Sequence, residues 1–155
     1  MPVEVNVTTF LNDNELKTRM KSAKMTVQEA LEEAIIRDTD PYVPADTGKL
    51  AASASQHKFA KLGSGQIVYH ATKPGKSQGY ARFLWYGQLM VSPTTLSPWA
   101  LAGEKKQLTN RTLTYSTRRH RRATSRWFEV SKKQNVKSWE KLAKTTFSKD
   151  WGKLI

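Results

Sequence analysis

The chain has 155 residues, 38% of them hydrophobic, and a net charge of +13 from 26 basic and 13 acidic residues. This length fits one domain over residues 1–155, and the absence of cysteine excludes disulfides, zinc–thiolate sites and cysteine nucleophiles. No apolar run approaches the roughly 20 residues of a membrane-spanning helix. The positive charge is concentrated in the C-terminal third and favours a polyanionic partner: nucleic acid, an acidic membrane or an acidic protein surface.

The N-terminal segment predicts a short strand followed by one long helix. Valine alternates with polar residues over residues 3–7, which is the period of a half-buried strand. From Asn14 to Arg37 apolar residues recur at steps of three and four, which predicts a helix with one apolar face. Core packing is the favoured role of that face, although Met20 and Met25 leave a contact with a neighbouring subunit open.

A rigid corner is predicted over Asp40–Ser55, where the helical pattern stops. Pro41 and Pro44 fix φ at about −65° and disfavour helical geometry in the residue before each of them. The first helix should therefore end near Thr39. The chain then has to turn before another regular element can begin.

Asp46 and Gly48 carry the predicted turn of this corner. The Asp46 carboxylate is spaced to accept hydrogen bonds from the backbone N–H groups of Gly48 and Lys49. Gly48 permits a positive φ that residues with a β-carbon rarely adopt. Leu50 is the first large apolar residue afterwards, and we expect its side chain to enter the core.

Three blocks of the sequence occur in the same order as in a known family. The first is Pro-x-Asp-Thr-Gly-x-Leu-x-x-Ser at residues 44–53, the second Tyr-Ala-Arg-Phe-Leu-Trp-Tyr-Gly at residues 80–87, and the third Arg-Trp-Phe-Glu at residues 126–129. Together they resemble the small neck proteins of tailed bacteriophages, which are also described as minor capsid or head–tail connector proteins. The residues that carry the first block are Pro44, Asp46, Thr47, Gly48, Leu50 and Ser53.

This resemblance implies a structural virion protein. It implies a homo-oligomeric ring in the neck, which joins head to tail and leaves a channel through which packaged DNA passes without sequence-specific contact. The partners implied are adjacent neck, portal-side or tail proteins. Assembly in the host cytoplasm, location in the virion and no membrane contact also follow from the resemblance.

The Asp-Thr-Gly triplet at residues 46–48 also occurs in aspartic proteases, so catalysis by Asp46 has to be considered. Those enzymes use two carboxylates that share one proton, and this chain contains a single such triplet. The residues His57, His70 and His120 are scattered without ligand spacing, and the sequence contains no Gly-rich phosphate loop, nucleophile elbow or zinc-protease motif. We therefore expect a protein that is not an enzyme, with no catalytic residue, metal or cofactor.

The segment after the corner predicts a β-hairpin. Alternation over Ala51–Phe59 predicts one strand, the glycines of Leu62–Gly65 predict a turn, and Gln66–Ala71 predicts a second strand. A basic loop rich in glycine follows at Lys73–Gly79. The hairpin would form the first part of a small sheet.

An aromatic block occupies Tyr80–Tyr86, where either a short helix or a strand fits the pattern. Gly87 should end that element, and Leu89–Val91 predicts the start of another strand. Core packing is the favoured role of the block, but its excess ring area also suits a subunit contact, since Tyr and Trp are favoured in interfaces. The residues assigned to such a contact are Tyr80, Phe83, Trp85, Tyr86 and, in the C-terminal tail, Trp151.

Residues 92–112 predict an extended arm or loop, because prolines, Ser, Thr and mixed charges interrupt every regular pattern. Leu113–Thr117 then alternates as a strand. Helical periodicity returns towards the C-terminus, with Thr124 or Ser125 as the cap and Asn135 as a break that would divide the region into two helices.

The densest charge in the chain lies at Arg118–Arg122, with Arg126 just beyond it. Like charges this close repel one another unless an anionic group lies near them. Three interpretations stay open from the sequence: a solvated loop, contact with an acidic protein surface, and contact with DNA phosphates. The candidate contact residues are Arg118, Arg119, Arg121, Arg122 and Arg126.

Together these features predict an α+β fold in which a long N-terminal helix and C-terminal helices pack on a small, mostly antiparallel sheet. The predicted function is structural, as a connector or tail-completion ring subunit of the phage neck. The alternative is a basic, non-enzymatic DNA-binding module. A nuclease is a third hypothesis, but the sequence shows no acidic metal-binding constellation to support it.

Overall fold

A computed structural model describes residues 13–70 and 80–152 of the chain. Its elements are, in order, helix α1 (Asp13–Thr39), a 3₁₀ turn (Asp40–Tyr42), helices α2 (Lys49–Lys61) and α3 (Ala81–Tyr86), strands β1 (Gln88–Val91) and β2 (Gln107–Thr112), and helix α4 (Trp127–Gly152). The predicted α+β class is confirmed, with a long N-terminal helix, a C-terminal helix and a two-stranded antiparallel sheet. The strand predicted at residues 3–7 and the loop predicted at Lys73–Gly79 lie outside the described residues.

Helices α1 and α4 pack along each other and make the largest contact between two elements. Ala23 and Ala34 are buried on α1, and Trp139 is buried on α4. The apolar face predicted for α1 supplies these two alanines, whose small side chains allow close approach of a neighbouring helix. Met20 and Met25 are exposed instead.

Side-chain hydrogen bonds fix α1 against α4 near the end of α1. Trp139 Nε1 donates to Asp38 Oδ2 at 2.9 Å, and Thr39 Oγ1 donates to Ser131 Oγ at 3.0 Å. Burial acts to raise the pKa of Asp38, but hydrogen bonds from Arg37 and Trp139 outweigh this effect and lower the pKa overall. The polar groups buried at this contact therefore have partners, as burial requires.

The predicted end of the first helix is confirmed, because α1 ends at Thr39, directly before the 3₁₀ turn that contains Pro41. Val43 then takes extended geometry, with φ −72° and ψ 128°, as expected for a residue that precedes proline, here Pro44. The chain leaves the helix at this point, and Val43 is fully buried in the core.

The strand predicted at Ala51–Phe59 is wrong, because Lys49–Lys61 forms helix α2. Alternating alanine and serine suggested a strand, but alanine has the highest helix propensity of all residues. The buried positions are Leu50, Ser53 and Ala54. Steps of three and four residues of this kind define one face of a helix.

The second strand of the predicted hairpin is also wrong for its described part, because residues 66–70 have no regular secondary structure. The turn before this segment is held from α1. The buried carboxylate of Glu32 accepts hydrogen bonds from Gly63 N–H at 2.9 Å and from Gly65 N–H at 2.5 Å. The turn is therefore tied to α1 and not to a strand partner.

Strands β1 and β2 pair in antiparallel fashion and form the two-stranded sheet. Met90 lies opposite Leu108 and Val91 opposite Gln107, with an irregularity in the register before Met90. The sequence predicted β1 at nearly the observed bounds. Helix α3 lies directly before it, and Gly87, with φ 69°, ends the helix as predicted.

Strand β2 lies earlier in the chain than predicted. The sequence placed residues 107–112 in an extended arm and a strand at Leu113–Thr117, but the strand is Gln107–Thr112 and the residues after it have no regular secondary structure. Only Thr109 of β2 is even partly buried, so the strand has no apolar alternation that could reveal it. The long connection is Ser92–Lys106, which we call the β1–β2 loop.

Helix α4 runs without interruption over Trp127–Gly152, so the predicted break at Asn135 is wrong. The Asn135 Nδ2 donates to Ser131 O at 3.0 Å, one turn earlier, and the side-chain amide is thereby satisfied inside the helix. None of the described helices combines the length and apolar character needed to cross a membrane.

The sequence predicted Thr124 or Ser125 as the cap of α4, but the cap position is Arg126, directly before the first helical residue. Arg126 has φ 45°, and its carbonyl accepts a hydrogen bond from Val130 N–H at 3.3 Å, the first such bond of the helix. The helix consequently starts later than the sequence suggested, and Trp127 becomes its first residue.

Candidate functional site

The three sequence blocks meet in one core. Leu50 from the corner and Trp127 from the start of α4 are each 2% exposed. Leu84 and Trp85 of α3 pack against the same cluster. The rings of Trp85 and Trp127 meet edge to face with centroids 4.9 Å apart, which is a favourable arrangement of aromatic rings. Residues far apart in the sequence thus form one aromatic core.

Backbone hydrogen bonds join the segment before α4 to the corner and to α3. The Thr124 N–H donates to Tyr42 O at 3.0 Å, and the Arg126 N–H donates to Trp85 O at 3.0 Å. The segment before α4 is therefore attached to the corner at one point and to α3 at the next. These contacts set the position of the arginines that lie between residues 117 and 127.

The corner has the predicted positive φ at Gly48 but not the predicted cap. Gly48 has φ 81°, and Arg119 Nη1 would lie 3.0 Å from a β-carbon added there. Gly48 itself occupies the cap position of α2, its carbonyl accepting from Ala52 N–H at 2.9 Å, and no described side chain makes a cap hydrogen bond. The exposed Asp46 carboxylate makes no hydrogen bond to the N–H groups of Gly48 or Lys49, so the predicted cap is wrong.

The other residues of the corner motif divide between core and surface. Pro44 is buried and Leu50 lies in the core, whereas Thr47 is exposed. The hydroxyl of Ser53 donates to Leu50 O at 2.6 Å and accepts from His70 N–H at 3.0 Å. Ser53 thereby ties the segment after α2 to the corner, a role that the sequence alone did not indicate.

Residues 118–126 form the arginine loop, which is anchored to the corner through His120. The Nδ1 atom of His120 lies 2.7 Å from Val43 O, and its Nε2 lies 3.3 Å from Asp40 Oδ2. Because a carbonyl oxygen only accepts hydrogen bonds, Nδ1 must carry the hydrogen and donate it to Val43. The histidine inside the arginine run is therefore a structural anchor for the arginines beside it.

Four arginines of this loop share two properties: they are exposed, and within the described part of the chain they form no ion pair with a carboxylate. They are Arg118, Arg119, Arg121 and Arg122. Arg122 lies against Tyr42, with Nη1 3.3 Å from the tyrosine hydroxyl. Arg126 differs, since its Nη1 lies 3.7 Å from Glu129 Oε2. The loop is therefore a strongly positive surface. An anionic partner would reduce the repulsion between its arginine side chains.

The residues predicted to form a subunit contact fall into two groups. Tyr80 and Trp85 are partly buried against the core, while Phe83 and Tyr86 are exposed. Trp151 stacks on a phenylalanine one turn earlier in α4, with ring centroids 5.9 Å apart. Of this set, Phe83 and Tyr86 offer the largest exposed rings to a partner.

The β1–β2 loop carries exposed apolar residues that the sequence analysis did not single out. Trp99 is 78% exposed and Leu96 68% exposed, and Leu101 is exposed as well. A tryptophan between two leucines in a proline-containing loop was the available signal. Exposed apolar patches of this kind commonly mark interaction sites.

A second feature missed from the sequence is the groove, an apolar cavity of about 640 Å³ beside α1. Its main apolar lining residues are Val27, Leu31, Ile35, Ile67, Trp85 and Phe128. Tyr69 also lines it, and burial raises the pKa of the Tyr69 hydroxyl above its ordinary value. A cavity of this size is typical of ligand sites and can accept large apolar side chains.

Among the described residues, no group of three or more His, Asp or Glu side chains could hold a metal ion. Comparison of the chain with protein families, curated proteins and solved structures finds no match. The candidate site therefore rests on geometry: the arginine loop on the corner, the β1–β2 loop and the groove.

Proposed function

We propose that this chain is a structural subunit of the head–tail neck of a tailed bacteriophage, where copies form a ring that joins head to tail around the DNA channel. The observation that supports this most is the packing of the corner, α3 and the start of α4 into one core. These are the three blocks whose sequences resemble the neck proteins. Unrelated short matches would give no reason for the three to pack on one another.

In this proposal the arginine loop contacts carboxylates of an adjacent neck, portal-side or tail protein. His120 fixes the loop on the corner, so the charged ends beside it are presented from a defined backbone. Guanidinium groups bind carboxylates through two parallel hydrogen bonds, which rewards arginine over lysine. DNA has to slide through the channel, and tight phosphate contacts would oppose sliding. An acidic protein surface therefore suits the loop better than DNA does.

Removal of the four exposed arginines tests this function. The variant replaces Arg118, Arg119, Arg121 and Arg122 with Ser. It should keep its fold, because exposed positions of this kind tolerate substitution. It should prevent filled heads from joining tails, so that electron microscopy of a lysate shows the two separated.

A matched control removes four positive charges from exposed positions of α4. It replaces Lys132, Lys133, Lys137 and Lys141 with Gln. Its net charge equals that of the arginine variant, yet it should assemble infectious particles. Normal particles from the arginine variant, or equal defects in both variants, would contradict the docking role of the arginine loop.

A basic DNA-binding module is the alternative function, and the same four exposed arginines favour it. Such a module neutralises several phosphates, so its affinity for duplex DNA falls steeply with salt. We expect the purified protein to bind duplex only weakly and without sequence preference near physiological salt. Tight binding to a defined duplex with a steep salt slope, together with normal assembly by the arginine variant, would replace the neck function with DNA binding.

A further inference from the structure

Tyr42 lies beside the arginine loop and is fixed at three points. Its side chain is 5% exposed and belongs to the aromatic core. Its carbonyl accepts a hydrogen bond from Thr124 N–H at 3.0 Å, and its hydroxyl donates to Gln134 Oε1 at 2.6 Å. The ring, the backbone and the hydroxyl are therefore held by different parts of the chain: the core, the arginine loop and α4.

Arg122 is the arginine that this fixed tyrosine holds. Its Nη1 donates to the Tyr42 hydroxyl at 3.3 Å, and its guanidinium carbon lies 5.9 Å from the centre of the Tyr42 ring. Because the tyrosine hydrogen is donated to Gln134, the lone pairs of the hydroxyl oxygen remain to accept from Arg122. A guanidinium and an aromatic ring at this distance also attract each other. The charged end of Arg122 is thus supported, although the residue is exposed.

The other exposed arginines of the loop differ from Arg122 in this respect. Within the described part of the chain, Arg118 and Arg121 make no side-chain hydrogen bond, ion pair or ring contact. A long side chain that moves freely in solvent loses rotamer freedom when a partner fixes it. Arg122 has already lost part of that freedom, so a partner that binds it incurs a smaller entropic cost.

The supported guanidinium can still bind a carboxylate. Among the described residues, the Tyr42 hydroxyl is the one hydrogen-bond acceptor of Arg122, and the remaining N–H groups of the planar fork are left for a partner. An Asp or Glu side chain accepts two parallel hydrogen bonds from such a fork. The chemistry of this position therefore fits an acidic side chain.

We propose that Arg122 is the central docking contact of the arginine loop, where it binds a carboxylate of the adjacent protein, and that Tyr42 is its positioning residue. This inference rests on the proposed function and identifies the residue on which docking depends most. A few residues, often arginines, carry most of the affinity of an interface. If net charge alone mattered, Arg118, Arg121 and Arg122 would be interchangeable.

The positioning is measured on the purified protein by NMR relaxation of the arginine Nε–Hε groups. We expect a higher order parameter for Arg122 than for Arg121. Tyr42→Phe removes the hydroxyl and keeps the ring, so the order parameter of Arg122 should fall towards that of Arg121. Tyr86→Phe is the matched control, because Arg82 lies over the Tyr86 ring at the same 5.9 Å, and it should leave Arg122 unchanged. Equal order in Arg121 and Arg122, or no loss with Tyr42→Phe, would overturn the positioning.

The docking is measured by adding purified protein to heads and tails from an infection that lacks the chain. Arg122→Ala should raise the concentration that gives half-maximal infectious titre about tenfold. Arg122→Lys should raise it nearly as much, because lysine keeps the charge but lacks the fork. The matched changes Arg121→Ala and Arg121→Lys should alter that concentration by less than about twofold, as for a contact of low energy.

A double-mutant cycle separates positioning from a general structural role of Tyr42. Tyr42→Phe alone should raise the half-maximal concentration about threefold, since the guanidinium has to be ordered on binding. In the Arg122→Ala background it should have no further effect, because Tyr42 acts through Arg122. Additive losses, equal losses at Arg121 and Arg122, or full activity of Arg122→Lys would overturn the inference. A tenfold loss of duplex DNA binding with normal joining in Arg122→Ala would also overturn it and assign Arg122 to phosphate.

This inference and the neck function fail in distinguishable ways. If Tyr42 orders Arg122 but an infection without the chain yields normal particles, the positioning stands and the neck function is wrong. If joining requires the chain and its four exposed arginines, yet Arg121 and Arg122 contribute equally, the neck function stands and this inference is wrong.

Discussion

The aromatic core at the corner and the β1–β2 loop use the same kinds of side chain in opposite ways. In the core, Leu50 and Trp127 are almost fully buried and gain stability by leaving water. In the loop, Leu96 and Trp99 stay in water, and hydrogen bonds to polar side chains such as Glu104 maintain the backbone instead. The first region is stable because of its apolar residues, and the second is ordered in spite of them.

This difference separates the part of the molecule that carries the fold from the parts that offer a surface. Leu50 and Trp127 are buried in the same cluster. Packing within the chain therefore accounts for the apolar residue of the corner motif. The β1–β2 loop and the arginine loop present exposed apolar and exposed charged side chains, respectively. The corner motif, on which the proposed neck function rests, lies in the core, whereas the partner contact that this proposal requires is assigned to the exposed arginine loop.

The largest expected effect is at Trp127. Replacement by Ala leaves a cavity beside Trp85 and Tyr69, whose rings both contact it, and should destabilise the protein by about 3–5 kcal/mol. Urea unfolding followed by circular dichroism measures this loss. Trp99→Ala makes the same substitution in the β1–β2 loop and should stay within about 0.5 kcal/mol. Similar losses in the two variants would remove the distinction between core and loop.

A smaller effect is expected at Gly48, within the corner. Gly48→Val places a branched side chain at φ 81°, which should cost about 1–3 kcal/mol through backbone strain. Adding Arg119→Ala removes the nearby guanidinium but not that strain, so stability should stay low. Asp46→Ala should leave the melting temperature unchanged, because Asp46 makes no cap hydrogen bond here. A loss of about 1 kcal/mol at Asp46, typical of a lost cap, would show that the sequence-based cap is correct after all.

The sequence predicted those parts of the fold that local chemistry decides. The apolar steps of α1 gave that helix, and Pro41 gave its end at Thr39. A single glycine at residue 87 marked the end of α3 and the start of β1. In each case the residues that determine the structure lie next to it in the chain.

The missed parts depend on contacts between distant segments. The alternation of alanine and serine in α2 is typical of a strand. The helical spacing becomes visible only in the structure, where Leu50, Ser53 and Ala54 are buried. Strand β2 is exposed and carries no apolar pattern at all. At one side of the groove, Glu32 accepts a hydrogen bond from a turn residue that lies 31 positions later in the chain, and neither residue indicates the other in the sequence. The candidate surface was therefore out of reach of local patterns.

The smallest expected effect concerns Glu104. It tests whether the β1–β2 loop is ordered by its own hydrogen bonds and independently of the aromatic core. The pKa of Glu104 falls from an ordinary value of 4.5 to about 2, chiefly because of the Thr94 hydroxyl, with Leu101 N–H and Ser92 adding to it. A carboxyl group whose pKa is lowered by contacts within the ordered loop stabilises that loop conformation above its ordinary pKa. That contribution is lost as the pH falls through the folded value. The loop should therefore be fully ordered at neutral pH and should loosen between about pH 4.5 and pH 2.

Amide hydrogen exchange, expressed as protection relative to the unfolded chain, measures this loosening residue by residue. Protection of Thr94 and Leu101 should fall as the pH is lowered, while protection of Val130 in α4, which depends on the core, should fall less. Glu104→Gln should weaken protection of the two loop amides already at neutral pH, because an uncharged amide oxygen is a poorer acceptor than a carboxylate. It should also remove their pH dependence and leave urea unfolding unchanged. Loop protection that stays constant down to pH 2, or that falls together with Val130, would show that the loop takes its order from the core and not from Glu104.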